Sequence, residues 1–165
     1  MTKARFLLSA LFAILIGGAA ISALTGKTRA PASSFSTIAG ETIALNDLRG
    51  RVVLVNFWAT TCAGCVREMP GMIDVYNQYR SKGFELIAVA MPYDPPNYVL
   101  KFAQERQLPF PVVLDIKGEA IRAFGNVNMT PTSFLIDREG RILERKAGEL
   151  DFAELKGKLD KQLGV

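Results

Sequence analysis

The chain has 165 residues, 49% hydrophobic and 22% charged, the balance of one folded domain with a short appendage and no room for a second core. It contains 2 cysteines and no histidine, which excludes His-based acid–base catalysis, catalytic triads, His-containing metal sites and any disulfide-rich framework. The formal net charge of +4 would point to nucleic acid or another acidic partner only if it were spread over the folded part.

It is not spread. Lys3, Arg5, Lys27 and Arg29 are the only charged residues of positions 1–34, so the remainder carries sixteen basic and sixteen acidic side chains and is neutral. Between the two basic pairs, positions 6–26 read FLLSALFAILIGGAAISALTG, 21 residues without a charge. At about 1.5 Å per residue such a run crosses a hydrocarbon core of roughly 30 Å. The basic residues therefore flank a membrane segment, and nucleic-acid binding loses its only support. Residues 1–5 read as a cytoplasmic n-region. Residues 6–24 read as a signal anchor that stays in the protein or as a signal peptide cut after Ala20 or Ser22. The apolar run continues through Leu24, beyond the usual core of about 7–15 residues, which favours the anchor. Residues 25–34, TGKTRAPASS, are small, polar and aperiodic, and read as a tether to a domain over 35–165.

Within that domain the pattern alternates. Residues 35–45 alternate around Gly40 and predict a short hairpin. Residues 51–58 contain VVLVNFW, a nearly continuous apolar run expected of a strand covered on both faces. Residues 61–82 predict a long helix with Met69, Ile73, Tyr76 and Tyr79 at helical spacing. Residues 84–90, FELIAVA, predict a second buried strand that ends in the loop MPYDPP. That loop either borders a substrate groove or is a stiff connector. An amphipathic helix follows over 97–107, with Val99, Leu100, Phe102 and Ala103 on its apolar face. The piece PFPVVLD is extended, 119–124 a short helix, and 132–137 and 141–147 strands joined by a turn at Arg138-Glu139-Gly140. Asp151 is placed to cap a last helix bearing Phe152, Leu155, Leu159 and Leu163. Strands alternating with helices imply an α/β domain whose mixed sheet has a parallel centre and helices on both faces.

The segment WATTCAGCVREMP carries the chemistry. A strand ends near Trp58 and a helix begins near Cys62, so the first thiol sits at a helix N-terminus. Free N–H groups and the positive end of the helix dipole favour a thiolate there. Cys65 lies one turn further on, on the same face and less exposed, where the two sulfurs can close a small disulfide. An exposed, acidified thiol with a sheltered second one suits thiol–disulfide exchange: Cys62 attacks a substrate disulfide and Cys65 resolves the mixed disulfide. Half a zinc site has the same spacing, but the chain has no further Cys and no His to complete four ligands. A purely structural bridge closing so small a loop would restrain the unfolded chain little. Neither a metal nor a cofactor is expected.

The pattern Trp-Ala-x-x-Cys-x-x-Cys-x-x-Glu-x-Pro over residues 58–70 resembles the thioredoxin-like proteins of the TlpA/ResA group, membrane-tethered or secreted thiol–disulfide oxidoreductases of bacteria. The resemblance spans roughly 35–165. It implies a thioredoxin-like fold with an opening hairpin. It maps Met129-Thr130-Pro131-Thr132 onto the family's cis-proline loop, with Pro131 facing the disulfide and Thr130 offering backbone pairing to a bound peptide. Trp58 reads either as a shield over the disulfide that joins the docking surface or as a plain core tryptophan. The resemblance implies that Glu85, at the start of FELIAVA, lies near the cysteines and shuttles the proton of Cys65; its other reading is an edge-of-strand residue facing solvent. Pro70 has a family counterpart and is expected to kink the redox helix. The dipeptide Ala63-Gly64 departs from the commoner pattern. The histidine associated with oxidising members is missing, which leans toward a reductase.

The resemblance further implies protein disulfides as substrates, with apocytochrome c or copper-site proteins among them. A membrane thiol reductase of the DsbD or CcdA type would be the electron donor. A catalytic domain outside the cytoplasmic membrane follows from where disulfides form. Two alternatives fit less well. A peroxiredoxin-like peroxidase (P-x-x-x-T-x-x-C) would need Pro and Thr where Val55 and Ala59 stand. A copper-carrying or assembly chaperone on this fold would need a wider cysteine pair and a distant His.

Overall fold

The computed structural model describes residues 28–165. The expected anchor and n-region therefore lie outside the described residues, among which no helix is long and apolar enough to cross a membrane. Among the described residues, hydrogen bonds to the domain reach back to Thr28, within the stretch read as a tether. The Ile142 N–H donates to the Thr28 carbonyl at 2.8 Å and the Ala30 N–H to the Gly140 carbonyl at 3.0 Å.

Strands β1 (Ser34–Ser36) and β2 (Thr42–Ala44) form the opening hairpin, turning at Gly40, whose φ of 84° favours a residue without a Cβ. After a 3₁₀ turn over Leu45–Leu48, β3 (Val52–Trp58) runs through the centre and is buried along its whole length. Helix α1 (Ala63–Tyr79) follows and continues through Pro70 as one helix; it tightens into a 3₁₀ turn at Arg80–Lys82. Then come β4 (Phe84–Ala90), α2 (Pro96–Glu105), β5 (Val112–Leu114), α3 (Glu119–Ala123), β6 (Thr132–Ile136), β7 (Ile142–Ala147) and α4 (Phe152–Leu163).

The five-stranded sheet has the order β5-β4-β3-β6-β7. β3, β4 and β5 are parallel, and β6 and β7 are antiparallel to their neighbours. The hairpin reaches the β5 edge, where the Ile38 N–H donates to the Val112 carbonyl at 2.8 Å. The strand period of two sorts β3 cleanly. Val52, Leu54 and Trp58 face α1 and α4, joining Met69, Met72, Val75, Leu155 and Leu159 in one core. Val53, Val55 and Phe57 face the other way, into a core with Phe35, Phe124 and Phe134. There Phe57, Phe124 and Phe134 meet edge to face at centroid distances of 4.9–5.9 Å.

The expected helices are present with small shifts of boundary. Asp151 caps α4 as anticipated, its carboxylate accepting from the Ala153 and Glu154 N–H groups. On α2 only Val99 and Ala103 are buried; Leu100, assigned to the apolar face from its spacing, is exposed because the helix covers the sheet edge along a narrow stripe.

Candidate active site

The parallel pair β3–β4 fixes where chemistry can occur. Both strands end at Trp58 and Ala90, and the loops that follow gather at this end of the sheet. The loop 59–61 leads into Cys62, the N-cap of α1, whose extended backbone (φ −87°, ψ 104°) leaves its sulfur accepting the Cys65 N–H at 3.1 Å. A sulfur in this position receives one of the helix's free donors, the interaction that stabilises a thiolate once the bond is reduced. Cys62 and Cys65 are joined as a disulfide with Cα atoms 5.2 Å apart. Cys62 is half-buried whereas Cys65 is fully buried, so an incoming disulfide can reach the first sulfur and not the second.

Two loops support this turn. Asp94, from the loop after β4, is buried and accepts both the Thr60 N–H and the Thr60 hydroxyl at 2.6 Å. The neighbouring Tyr93 is exposed, with its hydroxyl 3.5 Å from Thr130 Oγ1. The MPYDPP loop thus borders the site as well as connecting elements. The Thr130–Pro131 bond is cis. Thr132 pairs with Phe57, which sets the buried Pro131 beside Trp58 at the cysteine-bearing end, and the Gly148 N–H donates to the Pro131 carbonyl at 2.8 Å.

Beneath the disulfide lies a carboxyl that sequence reasoning does not single out. Glu68 follows Cys65 by three residues, so it shares the buried face of α1, and it is only 3% exposed. Its Oε1 accepts from Asn56 Nδ2 at 3.1 Å and its Oε2 from the Leu150 N–H at 3.1 Å. Asn56 Nδ2 also donates to Ser133 Oγ at 2.9 Å, and both Asn56 and Ser133 are buried. Burial pushes the Glu68 carboxyl above the ordinary carboxylate range; the bonds from Leu150 and Asn56 offset part of this, and the negative charge of Glu149 adds to it. A buried carboxyl kept ready to hold a proton one turn below Cys65 can exchange it with a thiol there. The signal is in the sequence twice, as the Glu of the 58–70 pattern and as the one polar residue inside VVLVNFW.

Two expected site residues stand elsewhere. Glu85 opens β4 opposite Val53, whereas the cysteines follow Trp58 at the far end of β3. Five residues at about 3.3 Å each put roughly 16 Å of strand between those positions. Glu85 instead pairs with Arg51 at 3.3 Å and meets the Tyr76 hydroxyl. It cannot shuttle a proton to Cys65. Trp58 is fully buried, its ring 5.2 Å from that of Phe102 in the core that contains Cys65. It backs the disulfide from the inside and offers nothing to a docking surface, because its place in the strand alternation turns it toward α1. Among the described residues no cluster of His, Cys, Asp and Glu is arranged to hold a metal ion.

The AhpC/TSA family description matches residues 27–145. The thiol–disulfide oxidoreductase ResA of Bacillus cereus is 40% identical over 133 residues, 80% of this chain and 75% of the relative. The thioredoxin-like protein YneN of Bacillus subtilis (strain 168) is 37% identical over 136 residues, 80% of this chain and 77% of the relative. Among solved structures, a thiol:disulfide interchange protein of the thioredoxin family from Chlorobium tepidum TLS superposes with a TM-score of 0.76 at 30% identity, covering 84% of this chain and 97% of the other. The fold and the Cys62–Cys65 disulfide accord with the names of these relatives: the chain belongs to the AhpC/TSA family and is one of its TlpA/ResA-like, thioredoxin-fold thiol–disulfide oxidoreductases.

Proposed function

We propose that this oxidoreductase acts as a reductase of protein disulfides outside the cytoplasmic membrane, held there by residues 6–24. The observation that carries the direction of attack is the unequal exposure of the two sulfurs, Cys62 half-buried at the helix N-cap and Cys65 fully buried. In the proposed cycle the Cys62 thiolate attacks one sulfur of a target disulfide, and the other target sulfur leaves as a thiolate. Cys65 then gives its proton to Glu68 and attacks Cys62 Sγ, releasing the second target sulfur, which takes up a proton. The target gains two electrons and the Cys62–Cys65 bond forms. The dithiol of a membrane reductase of the DsbD or CcdA type resets the pair. Thr130 and Pro131 receive the target chain. Apocytochrome c before haem attachment and copper-site proteins of cytochrome oxidase are the proposed targets.

The peroxidase alternative has no support at the site, since Val55 and Ala59 are buried apolar residues where an activating Pro and Thr would be required. A Cys65→Ser variant of the full chain should accumulate mixed disulfides through Cys62 with its targets, separable on non-reducing gels. The same adducts in a Cys62→Ser variant would overturn the assignment of the nucleophile. Protease added to intact spheroplasts should digest the domain; a protected domain would refute its placement outside.

A further inference from the structure

Asn56 is the polar residue in an otherwise apolar central strand, and it is completely buried. A buried amide without full partners costs about 1–3 kcal/mol, so an apolar residue would serve the core better unless the amide has a task. Both of its hydrogen bonds leave from one atom, Nδ2, to Glu68 Oε1 and to Ser133 Oγ, while its Oδ1 has no partner. That arrangement is lopsided for a static structural amide. The free Oδ1 is the acceptor that a second setting of the side chain would bring into use.

We propose that Asn56 is a positioning residue for Glu68, turning its amide so that the carboxyl keeps a hydrogen bond in both of its protonation states, with Ser133 as the pivot. When Glu68 is ionised, Nδ2 donates to the carboxylate, as seen here. When Glu68 carries a proton, a half-turn of the amide brings Oδ1 to the same place and accepts the carboxyl O–H. Ser133 serves either setting, because a hydroxyl both donates and accepts. The Leu150 N–H continues to hold the other carboxyl oxygen throughout. This inference rests on Glu68 exchanging protons with Cys65.

The groups that could compete in setting the Glu68 titration are few. Arg67 on its own helix is paired with Glu149 of the β7–α4 loop, and the Glu149 charge opposes ionisation of Glu68. Lys146 of β7 stands opposite Ser133, and Lys146 and Glu144 of β7, the cap residue Asp151, and Glu154 and Lys158 of α4 line the small cavity that Ser133 also borders. From β3, Asn56 donates to the carboxyl, and from β6, Ser133 accepts from the same Nδ2.

The test is the titration of the Glu68 carboxyl carbon by ¹³C NMR in the oxidised full chain in detergent, assigned with Glu68→Gln, together with the pH dependence of target release in single-turnover exchange. Asn56→Ala should move the Glu68 midpoint upward and slow release severalfold, less than the roughly tenfold that loss of a bond to the ionised form alone would give, because the weaker bond to the protonated form is lost with it. Ser133→Ala, which frees the pivot and leaves the amide in place, should move the midpoint the same way by less; Ser133→Thr should restore it. If Asn56→Ala fails to fold, the two Ser133 variants decide. Folded variants that keep the wild-type midpoint overturn the proposal. If Glu68→Gln leaves release unchanged, the role of Glu68 itself fails, while the NMR midpoints still decide whether Asn56 governs its proton.

Discussion

Replacing Asp94 by alanine is expected to weaken the fold and to loosen the approach to the first cysteine. Its buried carboxylate receives the Thr60 N–H and hydroxyl, each at 2.6 Å, and these bonds tie the loop after β4 to the turn before Cys62. Hydrogen bonds to charged groups contribute about 1.5–3 kcal/mol each. Thr60 is half-buried, so water takes over part of what its hydroxyl loses. The expected cost is then about 2–4 kcal/mol, a large share of the roughly 5–15 kcal/mol that holds an ordinary domain together. Urea unfolding should show a midpoint lower by roughly 1–2 M at an unchanged slope. Thr60→Val, which removes only the hydroxyl, should cost about 1 kcal/mol. The double variant should cost less than the sum, because the two groups share a contact. In the reduced protein, alkylation of Cys62 should change in rate. A midpoint within error of the wild type, or strictly additive costs, would refute the claim that Asp94 secures the redox turn.

Two further outcomes follow from the placement of individual groups. Glu85→Gln should leave disulfide-exchange rates within about twofold of wild type and cost at most about 1 kcal/mol, since its partner Arg51 is partly solvent-exposed; a loss of pH dependence in exchange would restore it to the site. Tyr79 donates to Asp160 at 2.7 Å, and that bond, burial and the Asp160 charge push its phenol up to about 12. The fold therefore favours the protonated phenol. This contribution is complete below about pH 10, the value in the unfolded chain, and is lost as pH rises from there to about 12. Tyr79→Phe should flatten the decline of Tm across that window, and an unchanged decline would refute the linkage.

The redox pair is legible in the sequence because its chemistry is local. Two cysteines one helical turn apart, after an apolar strand, need no tertiary information to be placed at a helix N-terminus. The strand and helix alternation is legible for the same reason, and β4 begins and ends where FELIAVA does. The errors concern direction. Resemblance carries Glu85 toward the site, yet a parallel crossover returns the chain to the start of the next strand, the end away from the cysteines. Of the two readings of Trp58, strand alternation selects the core one, with Val52 and Leu54 on the face covered by α1. Glu68 escapes notice because a charged residue in an amphipathic helix usually faces solvent. Only its three-residue spacing from Cys65 and the odd polar Asn56 opposite it mark that face as a polar pocket. The support from Asp94 depends on two loops meeting, and no spacing within either of them announces it.

The early tie at Thr28 gives the molecule a polarity. Residues 28–30 fasten onto the turn before β7 and its first residue, Ile142, which pairs with Ile136 at one end of β6, while Pro131 and the disulfide crowd the other end near Thr132. The four steps of β6 between them span roughly 13 Å. The chain therefore enters the domain at the pole opposite its reactive sulfur. The redox turn and Pro131 are thereby left clear of the point where residues 28–30 join the sheet.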